Sequence, residues 1–249
     1  MPSLLAERTE PYKALGRNIF IAVVFVSLIA YIDQGIAAND EASDVWRLHK
    51  FRLLVALDGT RFFDSEAINC SGCSTTALSN GTTSYYHGVL TAAVVAPGSQ
   101  RVIALSPEMI SPQDGSEKQD CEYEAAKRWM QRWAPMLAEQ KVTLLGDDLF
   151  SHLSFCRTVK KHGFSFIFTC KDASHPSMAE WISECDPKLD LQETSVRRWD
   201  GKRHHTYTYR WTTEVPLTDV DHPMLVNWMG LTISDDAGKV TYHNTWVTD

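Results

Sequence analysis

The sequence predicts an α/β protein, a mixed sheet with helices on its faces joined to an all-β stretch. Three observations lead there. Between residues 52 and 184, short apolar runs rich in strand formers alternate with segments of helical spacing. Asn80-Gly81 and Pro97-Gly98 place turns among the first runs, so those strands should pair as hairpins. After residue 194 helical spacing disappears, and polar and apolar residues alternate around turns.

The first apolar segment is NIFIAVVFVSLIAYI at 18–32, which follows Lys13 and Arg17 and leads to GIAAND at 35–40. It reads either as a buried or remnant helix or as a signal-like segment inserted in a membrane or exported. The run is short of the ~20 residues a spanning helix needs, and Asp33 ends it. The charged break NDEASD at 39–44 sets residues 1–45 apart as an N-terminal segment.

RLLVAL at 52–57 reads as a strand ended by Asp58-Gly59-Thr60, and the polar residues 61–83 as a loop or hairpin. SYYHGVLTAAVVA at 84–96 and RVIALSPEMI at 101–110 should pair beside the first strand. A helix is expected from about 117 to 138, where Ala125, Ala126, Trp129, Met130, Trp133 and Leu137 recur at helical spacing. Then come the strand VTLLGDD at 142–148, a helix near 152–162, the strand FSFIFTC at 164–170 and a helix near 176–184. A meander feeding into β-α-β units implies a mixed sheet with flanking helices, and this is the order of the ribonuclease H-like fold. Residues 46–190 should form that core, and residues 191–249 a β-rich insertion.

The chain of 249 residues can bury one good core, and its net charge of −7 argues against a wholly basic nucleic-acid coat protein. Its six cysteines are spread over the middle of the chain rather than crowded into a small secreted framework. Reduced thiols in a cytoplasmic protein are the preferred reading. Membrane association through residues 18–32 is the alternative.

In the expected order the first and fourth strands lie side by side, with Asp58 ending one and Asp147 ending the other. Ligands in open α/β sheets bind beyond the carboxyl ends of strands. Two carboxylates brought together there repel unless a cation lies between them. Mg²⁺, or Mn²⁺ in its place, suits such hard oxygen donors, and paired ions about 4 Å apart drive phosphodiester chemistry. The plainer reading is a strand-end turn at Asp58-Gly59 and helix capping by Asp147 and Asp148, a preference of ~1 kcal/mol.

From about residue 54 onward the chain resembles the DDE transposases of bacterial insertion sequences. The resemblance rests on ALDGTRFFDSEAINCSGC at 56–73, TTSYYHGVLTAAVVAPG at 82–98 and LSPEMISPQDGSEKQDCEYEAAKRW at 105–129. It continues through LLGDDLFS at 144–151, CKDASHPSMAEW at 170–181 and TYHNTWVTD at 241–249. It implies that Asp58 is the first acid of the triad and Asp147 the second, with Asp148 the adjacent alternative metal ligand. It also implies Mg²⁺ or Mn²⁺ as cofactor. The partners it implies are DNA, as terminal inverted repeats and target, and a second copy of the chain. The family continues past its WVTD-type strand into a helix bearing the glutamate, so a truncated fragment with little strand transfer is the expectation. Topology alone would offer Glu180 or Glu184 as the third acid. In the family, however, an all-β insertion separates that region from the glutamate helix, and residues 194–249 read as that insertion.

Cys70-x-x-Cys73, with His87 and Cys121 further on, reads either as zinc ligands or as packed thiols, because one Cys-x-x-Cys is half of a structural site. RRWDGKRHHTYTYRW at 197–211 is the basic stretch. Its Arg197, Arg198, Lys202, Arg203 and Arg210 suit phosphates, and its interleaved Trp199, Tyr207, Tyr209 and Trp211 suit base stacking. A solvated strand face is the alternative. In QDGSEKQDCE at 113–122, Asp114, Lys118 and Asp120 read as a helix cap or as groups supporting the metals.

Overall fold

The computed structural model describes residues 52–96, 102–111, 121–185, 191–218 and 221–249. The apolar stretch 18–32, and Asp114, Lys118 and Asp120, lie outside the described residues. The first half of the chain forms β1 (Leu53–Ser65), β2 (Ser74–Ala77), β3 (Thr83–Val95), β4 (Ile103–Ile110) and α1 (Glu122–Trp133). Then come β5 (Val142–Gly146), a 3-10 turn at Asp148–Ser151, α2 (Leu153–Lys161), β6 (Ser165–Thr169) and α3 (Pro176–Glu184). The last part is strand alone: β7 (Gln192–Trp199), β8 (His204–Pro216), β9 (Leu225–Asp235) and β10 (Val240–Thr248).

All ten strands belong to one mixed sheet, ordered β2-β3-β1-β5-β6-β10-β9-β8-β7, with β4 also on β3. The long β3 makes this possible. Residues 83–86 of its outer edge pair with β2, and residues 88–94 of the same edge pair with β4. β1, β5 and β6 run parallel at the centre, where VTLL and SFIFT are buried without a break. Continuous apolar runs are what strands covered on both faces require.

Strand alternation divides the core. Val55, Leu57, Val142, Leu144, Phe166 and Phe168 face one cluster, which holds the buried residues of all three helices. Leu54, Ala56, Leu145 and Ile167 face a second cluster, filled by Tyr209, Trp211, Met229, Leu231 and Trp246. Trp129, Phe155 and Phe166 are wholly buried, and each such side chain contributes on the order of 3 kcal/mol.

These findings correct the expected fold class. The described residues are 50% strand and 19% helix, so the protein is mostly β rather than a ribonuclease H-like α/β fold with flanking helices. Its three described helices all pack on one face. The expected insertion instead extends the central sheet, because Trp246, Val247 and Thr248 of β10 pair antiparallel with Thr169, Phe168 and Ile167 of β6. The alternation in residues 192–248 marks strands, and nothing in it states which sheet edge they join. β1 also runs past Asp58 to Ser65 along β3, and only its pairing with β5 stops before Asp58.

Candidate functional site

β1 and β5 pair in parallel from Leu53 opposite Val142 to Ala56 opposite Leu145. Asp58 stands two residues further along β1 and Asp147 just past the end of β5, so both lie at the open end of the parallel pair.

Gly146 lets the chain leave β5 sharply, since a Cβ there would come within 2.6 Å of the Phe150 ring. Asp147 is therefore the N-cap of the 3-10 turn, with its Oδ1 accepting from the Leu149 N–H at 3.0 Å. Capping and ion holding are compatible here, because that bond engages one carboxylate oxygen. Asp148 faces elsewhere. It accepts from the Lys171 N–H at 2.6 Å, and its two oxygens accept from the Ser174 hydroxyl at 2.7 and 2.6 Å. These bonds fasten the turn before α3, which makes Asp148 a structural acid.

A third carboxylate joins the pair, and sequence reasoning missed it. Glu122, the first residue of α1, lies across the backbone of Gly59, where a Cβ would fall 2.0 Å from the Glu122 Cδ. Burial holds the Glu122 carboxyl above its ordinary range, and the charges of Asp147 and Asp58 push it further up while Arg61 pulls it down. Asp147 is likewise raised, first by burial and then by Asp148, against the Leu149 bond and Lys171. An acid in the first turn of a helix reads in sequence as compensation of the helix dipole. The one available signal was that Glu122 ends QDGSEKQDCE at 113–122, the stretch already singled out for Asp114, Lys118 and Asp120. Glu180 and Glu184 lie on α3, which packs against β8, and neither is among the charges shifting Glu122 or Asp147.

Three half-buried carboxylates thus come from three elements, and the charges of Asp147 and Asp58 add to the cost of ionising Glu122. The carboxylates are less tightly gathered than the Cys70, Cys73 and His87 side chains, whose ligand atoms lie within 4.8 Å of one another.

The basic stretch forms the β7–β8 hairpin at the far edge of the sheet. That edge is six strands from β1, roughly 29 Å at ~4.8 Å per strand. Arg197 pairs with Asp236 at 2.8 Å, Arg210 with Glu193 at 3.5 Å, and Arg198 lies over the Tyr207 ring. Lys202 and Arg203 are exposed in the turn, where Asp200 accepts from both of their N–H groups. Of the four rings, Tyr209 and Trp211 are core residues, while Trp199 is exposed.

Among the described residues no helix is long and apolar enough to cross a membrane. No protein-family model matches the chain, and no curated protein matches it.

Proposed function

We propose that the protein carries out metal-dependent phosphodiester hydrolysis and strand transfer on DNA, as a transposase-derived enzyme. The observation that carries this reading is the convergence of Asp58, Asp147 and Glu122 at the open end of the β1–β5 pair. The ordered motifs around Asp58 and Asp147 support it.

Asp58, Glu122 and Asp147 would hold Mg²⁺ or Mn²⁺ through their oxygens. When bound, such ions supply a Lewis acid for the phosphate and an activated water or 3′-hydroxyl. Gly59 keeps the β1 backbone open so that Glu122 reaches this place, and the Leu149 N–H fixes the Asp147 carboxylate. The cationic turn at Lys202 and Arg203 would bind phosphates of the same DNA at a distance. Six free thiols accord with a cytoplasmic setting.

Nicking of supercoiled plasmid and of short duplex DNA in the presence of Mg²⁺ or Mn²⁺ tests the reading. Metal-dependent nicks lost in Asp58→Ala and Asp147→Ala are expected. No nicking with Mg²⁺ or Mn²⁺, or nicking that survives both substitutions, would overturn it. The exposed Lys202, Arg203 and Trp199 favour a second reading, non-catalytic DNA binding, which salt-dependent binding without nicking would select.

A further inference from the structure

Five residues along β1 from Asp58 stands Phe63, and opposite it on β3 is His87. At ~3.4 Å per residue this is roughly 17 Å from the carboxylates, so what gathers around His87 is a separate place. β1 ends at Ser65, whose hydroxyl accepts from the Ala67 and Ile68 N–H groups and turns the chain back. Cys73 N–H donates to the Cys70 carbonyl at 3.1 Å, closing a tight turn through Ser71 and Gly72. The Cys70 N–H in turn donates to the Cys73 sulfur at 3.3 Å, which braces the turn from inside.

The imidazole is oriented from the other side. The register shift between Arg61 and Phe63 leaves Phe62 unpaired, and its ring stacks on His87 with centroids 5.8 Å apart. Phe63 lies against the same imidazole at 5.7 Å. Held so, His87 Nε2 stands 3.4 Å from each sulfur, and the sulfurs stand 3.7 Å apart.

We infer that Cys70, Cys73 and His87 bind a zinc ion. With Zn–S of about 2.3 Å and Zn–N of about 2.05 Å, a tetrahedral ion sets its sulfurs about 3.8 Å apart and each sulfur about 3.6 Å from nitrogen. Every observed edge is within about 0.2 Å of that triangle. A disulfide needs its sulfurs at about 2.05 Å, and both thiols are free. Two thiolates and an imidazole select zinc over magnesium, so this ion is chemically distinct from the one at the carboxylates. Among the described residues no fourth His, Cys, Asp or Glu joins the group, and the exposed Cys70 side leaves the fourth position open to water or another ligand. The ion would tie the return at 66–73 to β3, beside a β2 that is only four residues long.

Metal analysis of the full chain, purified without chelator or after addition of zinc, tests the proposal. One zinc per chain is expected, with two sulfurs and one imidazole in its X-ray absorption spectrum. Substituted Co²⁺ should show tetrahedral bands and thiolate charge transfer. Cys73→Ser should lower zinc affinity beyond the roughly 100-fold that loss of an outer-shell partner costs. Cys121→Ser should leave that affinity unchanged. Should Cys73→Ser fail to fold, alkylation of the unsubstituted protein decides: zinc slows modification of Cys70 and Cys73 if they bind it. No retained zinc, coordination by oxygen and nitrogen alone, or alkylation indifferent to zinc would overturn the proposal.

Discussion

Gly59→Ala separates the function of the carboxylate site from the stability of the fold. The new Cβ would sit 2.0 Å from Glu122 Cδ and 2.3 Å from its Oε1. Ordinary contact begins near 3.4 Å, so the carboxyl must move by about 1.4 Å, and a misplacement of ~1 Å in a catalytic group can cost 10²-fold in rate. The atoms struck are the far end of a flexible side chain, and Gly59 is not among the glycines at positive φ, so the strand accepts alanine. Stability should change by less than about 1 kcal/mol, the usual scale of a glycine-to-alanine exchange at a compatible site. The assay is metal-dependent nicking beside thermal denaturation, repeated in Glu122→Gln and in the double variant. If Gly59 acts through Glu122, nicking falls by about 10²-fold in each single variant and no further in the double. Full nicking by Gly59→Ala would refute the reasoning. So would additive losses, which would mean that Gly59 acts by some other route.

Other outcomes follow from the same geometry. Asp148→Ala should lower stability by ~1–3 kcal/mol in denaturant unfolding, since the Lys171 N–H and Ser174 hydroxyl lose their acceptor, while Mg²⁺ affinity changes little. Glu122 and Asp147 are raised from ordinary values of 4.5 and 3.8, so between those values and the raised ones the folded state binds more protons than the unfolded. Without metal, stability should therefore fall as pH rises through that window, Glu122→Gln should flatten the fall, and Mg²⁺ affinity should rise with pH. Lys202→Ala and Arg203→Ala should each reduce the salt dependence of DNA binding by about one unit of slope. Arg197→Ala should reduce it less, because that guanidinium already faces Asp236.

Much of the sheet was legible because its signals are local. VTLLG and SFIFT are too apolar to be half-exposed, and the helix at 176–184 begins where Pro176 allows it. Asp58 and Asp147 were legible as residues at strand ends, although one of those strands continues. Assembly was less readable. The pattern in residues 192–248 fits an insertion or an extended sheet equally well, and only the β10–β6 pairing chooses. In the basic hairpin, alternation sends Tyr209 and Trp211 inward, a direction that depends on which face the sheet covers. Glu122 was hidden because its role depends on the approach of α1 to Gly59, a contact between residues 63 positions apart.

The central claim is that Asp58, Glu122 and Asp147 hold one divalent-metal site. Iron-directed backbone cleavage tests it most directly, with Fe²⁺ in place of Mg²⁺ in zinc-loaded protein and radicals generated by ascorbate and peroxide. Cuts near residues 58, 122 and 147 together, suppressed by excess Mg²⁺, are the expected result. Cuts at other segments only, or cuts that Mg²⁺ does not suppress, would contradict it.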